Sequence, residues 1–333
     1  MKQLLKTKVD EMLELYLTTQ KDFRWENHLS VHFAALTYSQ KNKSYNKNDM
    51  KDTMSYIKEN TRLFSPFRNS TFMISMLLSS EFSEPKQQFI KLLDYEKMLK
   101  EAGFKNSTYI PITCYALSLT CNENENTLQE RIQKSFEIYS EMKKNHPWLT
   151  SGDDYPLSVM LANSDFSVES SIQKIEELYK SLNEIGFHRG NGLQLLSHIL
   201  SFSEESVFEK TKRCEEIFEI LKRNKLKIHS QYYAALGLIT LLDNKNHEVV
   251  QELIDVVIYL NGLKKYKWLG KGMNVLLASV IVSRHFIEEK TTQNELIDTT
   301  LSISIEALIA AQTAATVSAI VATSAAASTT NSE

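Results

Sequence analysis

The chain has 333 residues, of which 42% are hydrophobic and 24% are charged, as in an ordinary soluble globular protein. Its formal net charge is -3, so it lacks the basic surplus of a protein dedicated to duplex nucleic acid. Only 9 glycines and 5 prolines occur, and this sparse punctuation favours helices over many short strands.

Three cysteines, Cys114, Cys121 and Cys214, lack the close spacing of a metal knuckle, and their number is odd. A reduced, cytoplasmic compartment is therefore predicted. The N-terminal segment MKQLLKTKVDEMLELYL carries acidic residues where a signal peptide needs an apolar core, so it is not predicted to be one.

The next segment, WENHLSVHFAAL, places His28 and His32 four positions apart on one face of a helix. This spacing can bind zinc, but the glutamate of the zinc-protease motif is absent and no further ligand is evident. Two surface or half-buried histidines are the favoured interpretation.

Apolar residues recur three or four positions apart in the long segments, which is the pattern of amphipathic helices. Four segments also resemble one another: an amphipathic helix with a central aromatic residue, a short polar loop, and a second, more apolar helix. The aromatic residues lie about 40 residues apart and are Tyr95, Tyr139, Tyr179 and Phe218. Looser copies cover Leu4–Tyr38, Met50–Ser80 and Val249–Ser283. Residues 1–300 are therefore predicted to form an all-α domain of irregular antiparallel helix-pair repeats, either an α-solenoid or a compact helical bundle.

The segment LFSPFRNS, residues 63–70, places two phenylalanines and Arg68 around a proline. Its aromatic side chains could line a groove between helices, or they could be buried under a neighbouring helix. Both interpretations stay open.

The segment HPWLTSGDDYPLSVMLA brings a histidine close to the adjacent carboxylates of Asp153 and Asp154. Similar polar residues recur between the two helices of each pair: Asn69–Ser70, Asn106–Ser107, Asn191 and Ser230. Asn, Asp and Ser are preferred N-caps, because their side chains accept a hydrogen bond from an unpaired amide of the first turn. Helix capping is thus the favoured role of the carboxylate pair.

The predicted cap bond depends on which carboxylate caps the helix. Pro156 has no N–H, so Asp154 would have to accept from the amide of Leu157, and Asp153 would accept from the amide of Tyr155. The alternative is a metal or acid–base site, since two neighbouring carboxylates can differ in pKa.

The segment GFHRGNG, residues 186–192, is rich in glycine but lacks the lysine and hydroxyl of a P-loop and follows a helix. Gly186 is predicted to end that helix in the left-handed conformation, with Phe187 folding back, and Gly103–Phe104 repeats the pattern. A phosphate site made of Arg189 and the amides after Asn191 is the alternative.

The segment GLKKYKWLGKGMN, residues 262–274, mixes lysines with Tyr266 and Trp268, a combination that can hold single-stranded nucleic acid. A solvated loop between helices is favoured. Residues 301–328 are rich in Ala, Ser and Thr and are predicted to form a helix packed on the body, with a disordered tail at 329–333. A membrane anchor is possible by length but disfavoured, because these residues contribute little transfer energy and lack basic or aromatic flanks.

Three segments, LFSPFRNSTFMISMLL, HPWLTSGDDYPLSVMLA and GFHRGNGLQLLSHIL, resemble the domain-of-unknown-function family DUF4003 of low-GC Gram-positive bacteria. The resemblance covers nearly the whole chain, including the Ala-rich tail. It implies a bacterial, intracellular protein and carries no activity, cofactor or partner to this sequence.

The sequence predicts a protein- or peptide-binding helical-repeat scaffold, because the concave surfaces of helical repeats commonly bind protein partners. The candidate groove lies among the loops between helices and contains Arg68, Asp153, Asp154, Arg189 and Asn191. No cofactor, bound metal, duplex nucleic acid or membrane partner is predicted. The alternative is a metal-dependent hydrolase that uses Asp153 and Asp154 with His146, His188 or His198, which would require these side chains to converge on one point.

Overall fold

The computed structural model describes residues 1–41, 44–120, 125–242 and 247–292. Within these ranges the chain forms fifteen α-helices and no strand, which confirms the predicted all-α class. The predicted Ala-rich helix, 301–328, and the tail, 329–333, lie outside the described residues. No helix in the described ranges combines the length and apolar character needed to cross a membrane.

The helices are α1 (Gln3–Asp22), α2 (His28–Ser39), α3 (Lys47–Glu59), α4 (Pro66–Asn69), α5 (Thr71–Glu81), α6 (Pro85–Ala102), α7 (Ile110–Thr120), α8 (Glu125–Asn145), α9 (Tyr155–Leu161), α10 (Val168–Glu184), α11 (Asn191–Ser201), α12 (Val207–Arg223), α13 (Tyr233–Leu242), α14 (Glu248–Gly262) and α15 (Lys271–Thr292). Three short 3-10 turns are Gly152–Asp154, Ser230–Tyr232 and Lys267–Leu269.

The contacts divide the described residues into two compact units. Unit 1 contains Met1–Glu11, Ser140–Thr150 and the described residues from Ser164 onward. Unit 2 contains the described residues of Met12–Tyr139 together with Ser151–Asn163.

In unit 1, the six helices α10 to α15 pack in two layers. The layer of α11, α13 and α15 is formed by successive contacts between these helices, and α10, α12 and α14 contact one another in the same order. The layer of α11, α13 and α15 is the more apolar of the two. Every residue of α13 is buried, whereas α10, in the other layer, buries one apolar stripe.

In unit 2, the apolar helices α2, α5, α7 and α9 contact one another in chain order. The more polar helices α3 and α6 pack on α5, and α6 also packs on α7. The repeat period of about 40 residues and the choice between solenoid and bundle stay predictions.

A cluster of three aromatic rings occurs in each unit. Its first ring follows the end of one helix, the second lies on the next polar helix, and the third begins the next apolar helix. The ring centres are 4.7–6.1 Å apart in unit 2 and 5.0–6.4 Å apart in unit 1. The two sets are Phe104, Tyr139 and Tyr155 in unit 2, and Phe187, Phe218 and Tyr233 in unit 1.

Two helices end at a left-handed glycine, as the sequence predicts. Gly103 follows α6 with φ 116°, and Gly186 lies after α10 with φ 104°. In both cases the amide of the next phenylalanine donates to a carbonyl five residues back, at 3.0 Å for Phe104 and 3.1 Å for Phe187, and both rings are buried. This confirms the predicted helix ends.

A third helix ends in the same way without a glycine. Lys225 lies beyond the end of α12 with φ 62°, and the amide of Leu226 donates to the carbonyl of Leu221 at 2.9 Å. The sequence analysis missed this end, because a left-handed lysine has no signature in sequence.

Side-chain caps occur mainly in other loops than predicted. Asn46, Ser167 and Ser206 cap the polar helices α3, α10 and α12, and Asn27 and Ser65 cap α2 and α4. Of the predicted caps, Ser70 makes no cap bond and Asn191 is already the first residue of α11, whereas the Ser107 hydroxyl accepts from the amide of Tyr109 at 3.2 Å.

Candidate functional site

The five residues of the predicted groove belong to different units. Arg68, Asp153 and Asp154 lie in unit 2, and Arg189 and Asn191 lie in unit 1. Each set is described within its own unit, and a groove that joins all five stays a prediction.

Arg68 lies on α4 and holds the end of α3. Its Nη1 donates to the carbonyl of Lys58 at 2.9 Å and to the carbonyl of Thr61 at 3.1 Å. The last carbonyls of a helix have no partner within the helix, so the guanidinium supplies one. Arg68 thereby fixes the loop that carries Leu63 and Phe64.

The carboxylate pair lies in the 3-10 turn Gly152–Asp154, directly before α9. The amide of Ser151 donates to Oδ2 of Asp154 at 2.9 Å, and the Ser151 hydroxyl bonds to Asp153. Asp154 makes no side-chain cap bond to α9, and the amide of Tyr155 donates to the carbonyl of Gly152. The predicted bonds of Asp154 to the Leu157 amide and of Asp153 to the Tyr155 amide are therefore wrong. The physical reason is the 3-10 turn. Helical backbone begins with this turn, three residues before α9, and Ser151 is its N-cap. Asp154 therefore accepts from the Ser151 amide, as the acid of a capping box does.

Two tyrosine hydroxyls lie near enough to the carboxylate pair to interact with it electrostatically. Burial raises the pKa of Tyr109, and Asp153 and Asp154 raise it further. Burial also raises the pKa of Tyr139 to about 12, with contributions from Tyr155 and the two carboxylates. These phenols therefore stay protonated at neutral pH.

The loop before α11 is held by side chains of α10. Nε of Arg189 donates to Oδ1 of Asn183 at 3.0 Å, and the amide of Gly190 donates to the hydroxyl of Tyr179 at 3.3 Å. Asn191 is exposed and caps no helix, which corrects the predicted N-cap at this position.

Gly192 has a packing role that the sequence analysis missed. A Cβ at this position would lie 2.1 Å from the carbonyl oxygen of Ser230, so α11 and the turn Ser230–Tyr232 approach too closely for any other residue. Gly272 is equally tight, since its Cβ would lie 2.1 Å from the Tyr232 ring.

The three histidines of the hydrolase hypothesis, His146, His188 and His198, all lie in unit 1. Nε2 of His146 lies 3.0 Å from a Glu176 oxygen, and its ring packs at 4.8 Å on Tyr179. Burial lowers the pKa of His198 to about 3, with His146 as a further cause, so His198 is a neutral side chain. Across the described ranges, no three His, Cys, Asp or Glu side chains are grouped so that they could hold a metal ion. No observation on the described residues supports the hydrolase hypothesis.

The histidines at the zinc-like spacing serve different contacts. His32 is fully buried and stacks on Tyr16, with 3.6 Å between the ring centres. His28 is exposed, and its Nδ1 lies 2.9 Å from Nε2 of Gln20. At the loop before α15, Tyr266 is fully buried and is therefore not available to stack on a base.

The two phenylalanines of LFSPFRNS differ: Phe67 is buried under a neighbouring helix, whereas a groove lined by Phe64 stays a prediction. Phe67 is fully buried and packs on Phe89, with 5.4 Å between the ring centres. Phe64 is 87% exposed, and its neighbour Leu63 is 67% exposed.

A third large apolar side chain is exposed in unit 2. Trp25, in the loop between α1 and α2, is 87% exposed. The adjacent carboxyl of Glu26 interacts electrostatically with Lys58, in the last turn of α3. We call Trp25, Leu63 and Phe64 the aromatic patch. The sequence analysis missed Trp25, although a tryptophan flanked by charged residues in FRWENH is a signal of exposure.

The sequence comparisons identify the family. A family model described as "Protein of unknown function (DUF4003)" matches residues 15–314. The chain belongs to this family. It is also similar to "Uncharacterized protein YeaA" of Bacillus subtilis (strain 168), with 31% identity over 282 residues, which cover 84% of this chain and 82% of the relative. No solved structure matches the chain significantly. The DUF4003 resemblance seen in the sequence is thus confirmed.

Proposed function

We propose that this DUF4003 protein is a binding module for a protein or peptide partner, and that the aromatic patch is part of its contact surface. The carrying observation is the exposure of Trp25, Leu63 and Phe64 in unit 2, where Glu26, next to Trp25, interacts electrostatically with Lys58 in the last turn of α3. Clustered exposed apolar side chains mark interaction sites, and tryptophan is among the residues that contribute most to binding energy.

The charges around the patch support an acidic partner. Arg24, Lys58 and Arg62 are exposed neighbours of the patch residues in sequence, and the neighbouring acids are the exposed Glu59 and the half-buried Glu26. The guanidinium of Arg24 lies 4.9 Å from the Trp25 ring centre. The proposed partner is therefore a segment that carries apolar side chains among Asp and Glu residues.

Hydrogen bonds hold the backbone that carries the aromatic patch. Arg68 bonds to two carbonyls at the end of α3, and the amide of Glu26 donates to the carbonyl of Phe23 at 3.0 Å. A preordered surface loses less entropy on binding than a mobile one. Arg68 is thus a positioning residue of the proposed site.

The other groove residues remain part of the proposal as polar contacts for a partner. Arg189 and Asn191 are exposed in unit 1, and Asp153 is half-buried in unit 2, whereas Asp154 is buried. The two buried free cysteines, Cys114 and Cys214, support the proposed cytoplasmic location.

Selection from a phage-displayed library of random peptides tests the proposed function. We expect enriched peptides that combine Phe, Leu or Trp with Asp or Glu. Their affinity should fall by about tenfold or more for the double variant Trp25→Ala, Phe64→Ala, because exposed aromatic anchors contribute at least about 1.4 kcal/mol.

Trp148→Ala is the matched control, since Trp148 is 96% exposed but lies in unit 1. It should leave the affinity unchanged. Peptides that bind the double variant as tightly as the wild type, or a selection that enriches no acidic apolar sequence, would contradict the proposal.

A further inference from the structure

Two lysines of unit 1 meet at one backbone carbonyl. Nζ of Lys174, on α10, donates to the carbonyl of Ser203 at 2.6 Å. Nζ of Lys210, on α12, donates to the same carbonyl at 3.0 Å and to the carbonyl of Leu200 at 2.8 Å. Because they share one acceptor, the two amines lie within two hydrogen-bond lengths of each other. We call Lys174 and Lys210 the amine pair.

The amine pair is a site of uncompensated positive charge. Within the helices and loops that the structure describes, neither lysine forms an ion pair. The acids that interact with the pair electrostatically, Glu204 and Glu205, are exposed, and Glu205 pairs with Arg213. Arg213 adds a third positive charge near Lys210. Two ammonium groups at this separation repel each other, and burial strengthens the repulsion.

The amine pair holds its protons less tightly than exposed lysines do. Burial lowers the pKa of Lys210 to about 7, with the neighbouring Lys174 as the next cause. Burial also lowers the pKa of Lys174. At neutral pH, about half of the molecules therefore carry a neutral amine in the pair. An exposed lysine is neutral in only about one molecule in a thousand under the same conditions.

Lys174 is the member of the pair that a reagent can reach. Its side chain is half-buried, with the ammonium 4.7 Å from the centre of the half-buried Phe166 ring, whereas Lys210 is fully buried. The two amines are also hydrogen-bond partners of each other. A neutral Lys210 can therefore accept a proton from the Lys174 ammonium, which leaves Lys174 as a neutral amine and hence a nucleophile.

We propose that Lys174 is a modification site for activated acyl groups, such as acyl phosphates and acyl thioesters, and that Lys210 generates the nucleophile by accepting its proton. The neutral Nζ of Lys174 attacks the acyl carbon, and the bond from that carbon to the leaving oxygen or sulfur breaks. The leaving group takes the second proton of the attacking amine and departs as hydrogen phosphate or thiol. The product is a neutral amide on Lys174 beside a single ammonium on Lys210.

This site is independent of the proposed function. The amine pair lies on α10 and α12 of unit 1, whereas the aromatic patch lies in unit 2. Acylation also removes the charge of Lys174, so the Lys210 ammonium no longer faces a like charge from α10. The modified protein should therefore unfold at a higher urea concentration than the unmodified protein at neutral pH.

Acetylation at about pH 7 with acetyl phosphate and, separately, with the thioester S-acetyl-N-acetylcysteamine tests the site. The remaining amines are capped with deuterated acetic anhydride in urea, and mass spectrometry of peptides cut after glutamate gives the rate at each lysine. Lys174 should react at least about tenfold faster than Lys180, an exposed lysine on the same helix, because its neutral fraction is larger. The two reagents show which class of acyl donor reaches the site.

Lys210→Met removes the proton acceptor, and Lys174 should then react no faster than Lys180. Lys212→Met is the matched control, because Lys212 is an exposed lysine on α12, and it should leave the fast reaction unchanged. Urea unfolding of both variants shows that they are folded.

The pH dependence of the wild type tests the proposal without a substitution. The ratio of the Lys174 rate to the Lys180 rate should fall as the pH rises from about 7 to about 10, because Lys180 becomes neutral there as well. The proposal fails if Lys174 reacts no faster than Lys180 with either reagent, if the ratio does not change with pH, or if a folded Lys210→Met variant keeps the fast reaction.

Discussion

At the scale of single residues, the left-handed Lys225 differs from Gly103 and Gly186, which occupy the same position after other helices. A side chain in this conformation costs roughly 1–2 kcal/mol, whereas glycine adopts it freely. The added flexibility of glycine in the unfolded chain offsets part of the gain.

Lys225→Gly should therefore stabilise unit 1 by about 0.5–1 kcal/mol. The measurement is the midpoint of urea unfolding. Lys227→Gly is the control, because Lys227 is exposed nearby without a positive φ and should lose stability instead. A loss of stability in both variants would show that Lys225 is not strained.

Asp154 and Asp153 should differ when each is replaced by alanine. Asp154→Ala removes the acceptor of the Ser151 amide and should cost about 0.5–2 kcal/mol, like the loss of a helix cap. Asp153→Ala should cost less, because Asp153 is half-buried and bonds to a hydroxyl that water can satisfy. Urea unfolding of both variants, with and without magnesium or zinc, measures the difference, and a metal-dependent midpoint would point to the hydrolase hypothesis instead.

His198 should make stability depend on pH. Its pKa is about 3 in the folded protein, against an ordinary value of 6.5, so the unfolded chain binds a proton first as the pH falls. The stability contribution is present above about pH 6.5 and is lost progressively toward pH 3, by about 1.4 kcal/mol for each pH unit.

His198→Gln should therefore flatten the loss of stability between pH 7 and pH 5, measured by urea unfolding at each pH. His188→Gln is the control, because His188 is exposed. An unchanged pH profile in the His198 variant would show that other groups cause the acid sensitivity.

At the scale of helices, the close approach of α11 to the turn Ser230–Tyr232 makes Gly192 intolerant of a side chain. Gly192→Ala should destabilise unit 1 by about 1–3 kcal/mol, the usual cost of overpacking. Gly262→Ala, at the end of α14, meets nothing within 4 Å and should be neutral or slightly stabilising. Equal urea midpoints for both variants would mean that the packing at Gly192 relaxes without cost.

The helical class and two helix ends could be predicted from the sequence, because a period of 3.6 and a Gly–Phe pair are local signals. The N-caps could not, since the same residue types begin α10 with a cap bond and α5 without one. Phe64 and Phe67 were equally ambiguous. Only the tertiary contact with Phe89 decides which ring is buried, and no local pattern contains that contact.

At the scale of the whole molecule, the segment HPWLTSGDDYP is divided between the two units. His146 belongs to unit 1, and Asp153 and Asp154 belong to unit 2. Neighbouring residues in sequence suggested a single site, but His146 contacts Glu176 and Tyr179, whereas the carboxylates bond to Ser151. Trp25 and the pair Leu63–Phe64 lie in different loops of unit 2, so sequence position alone did not suggest that they belong to one surface.

The two described cysteines lie in different units, so the reactivity of each thiol measures the opening of its own unit. Burial raises the pKa of Cys214, in unit 1, to about 12, and raises the pKa of Cys114, in unit 2, well above its ordinary value. In variants that keep only one of them, a thiol reagent should react at least about 100-fold more slowly in native buffer than in urea, because reaction requires an exposed thiolate.

Asp94→Cys in a background without other cysteines is the positive control, since position 94 is exposed and should react at once. Rapid native labelling of Cys114 or Cys214 would show that the corresponding unit opens far more often than its packing suggests.

The complete burial of α13 has a consequence for the life of the protein in the cell. Its ten residues, YAALGLITLL, carry no charge and no proline. Each time unit 1 unfolds, this apolar stretch is exposed to solvent and can associate with the same stretch of other chains. Thermal unfolding should therefore be irreversible, and its midpoint should depend on protein concentration. Newly synthesised chains should depend on chaperones until α13 is buried.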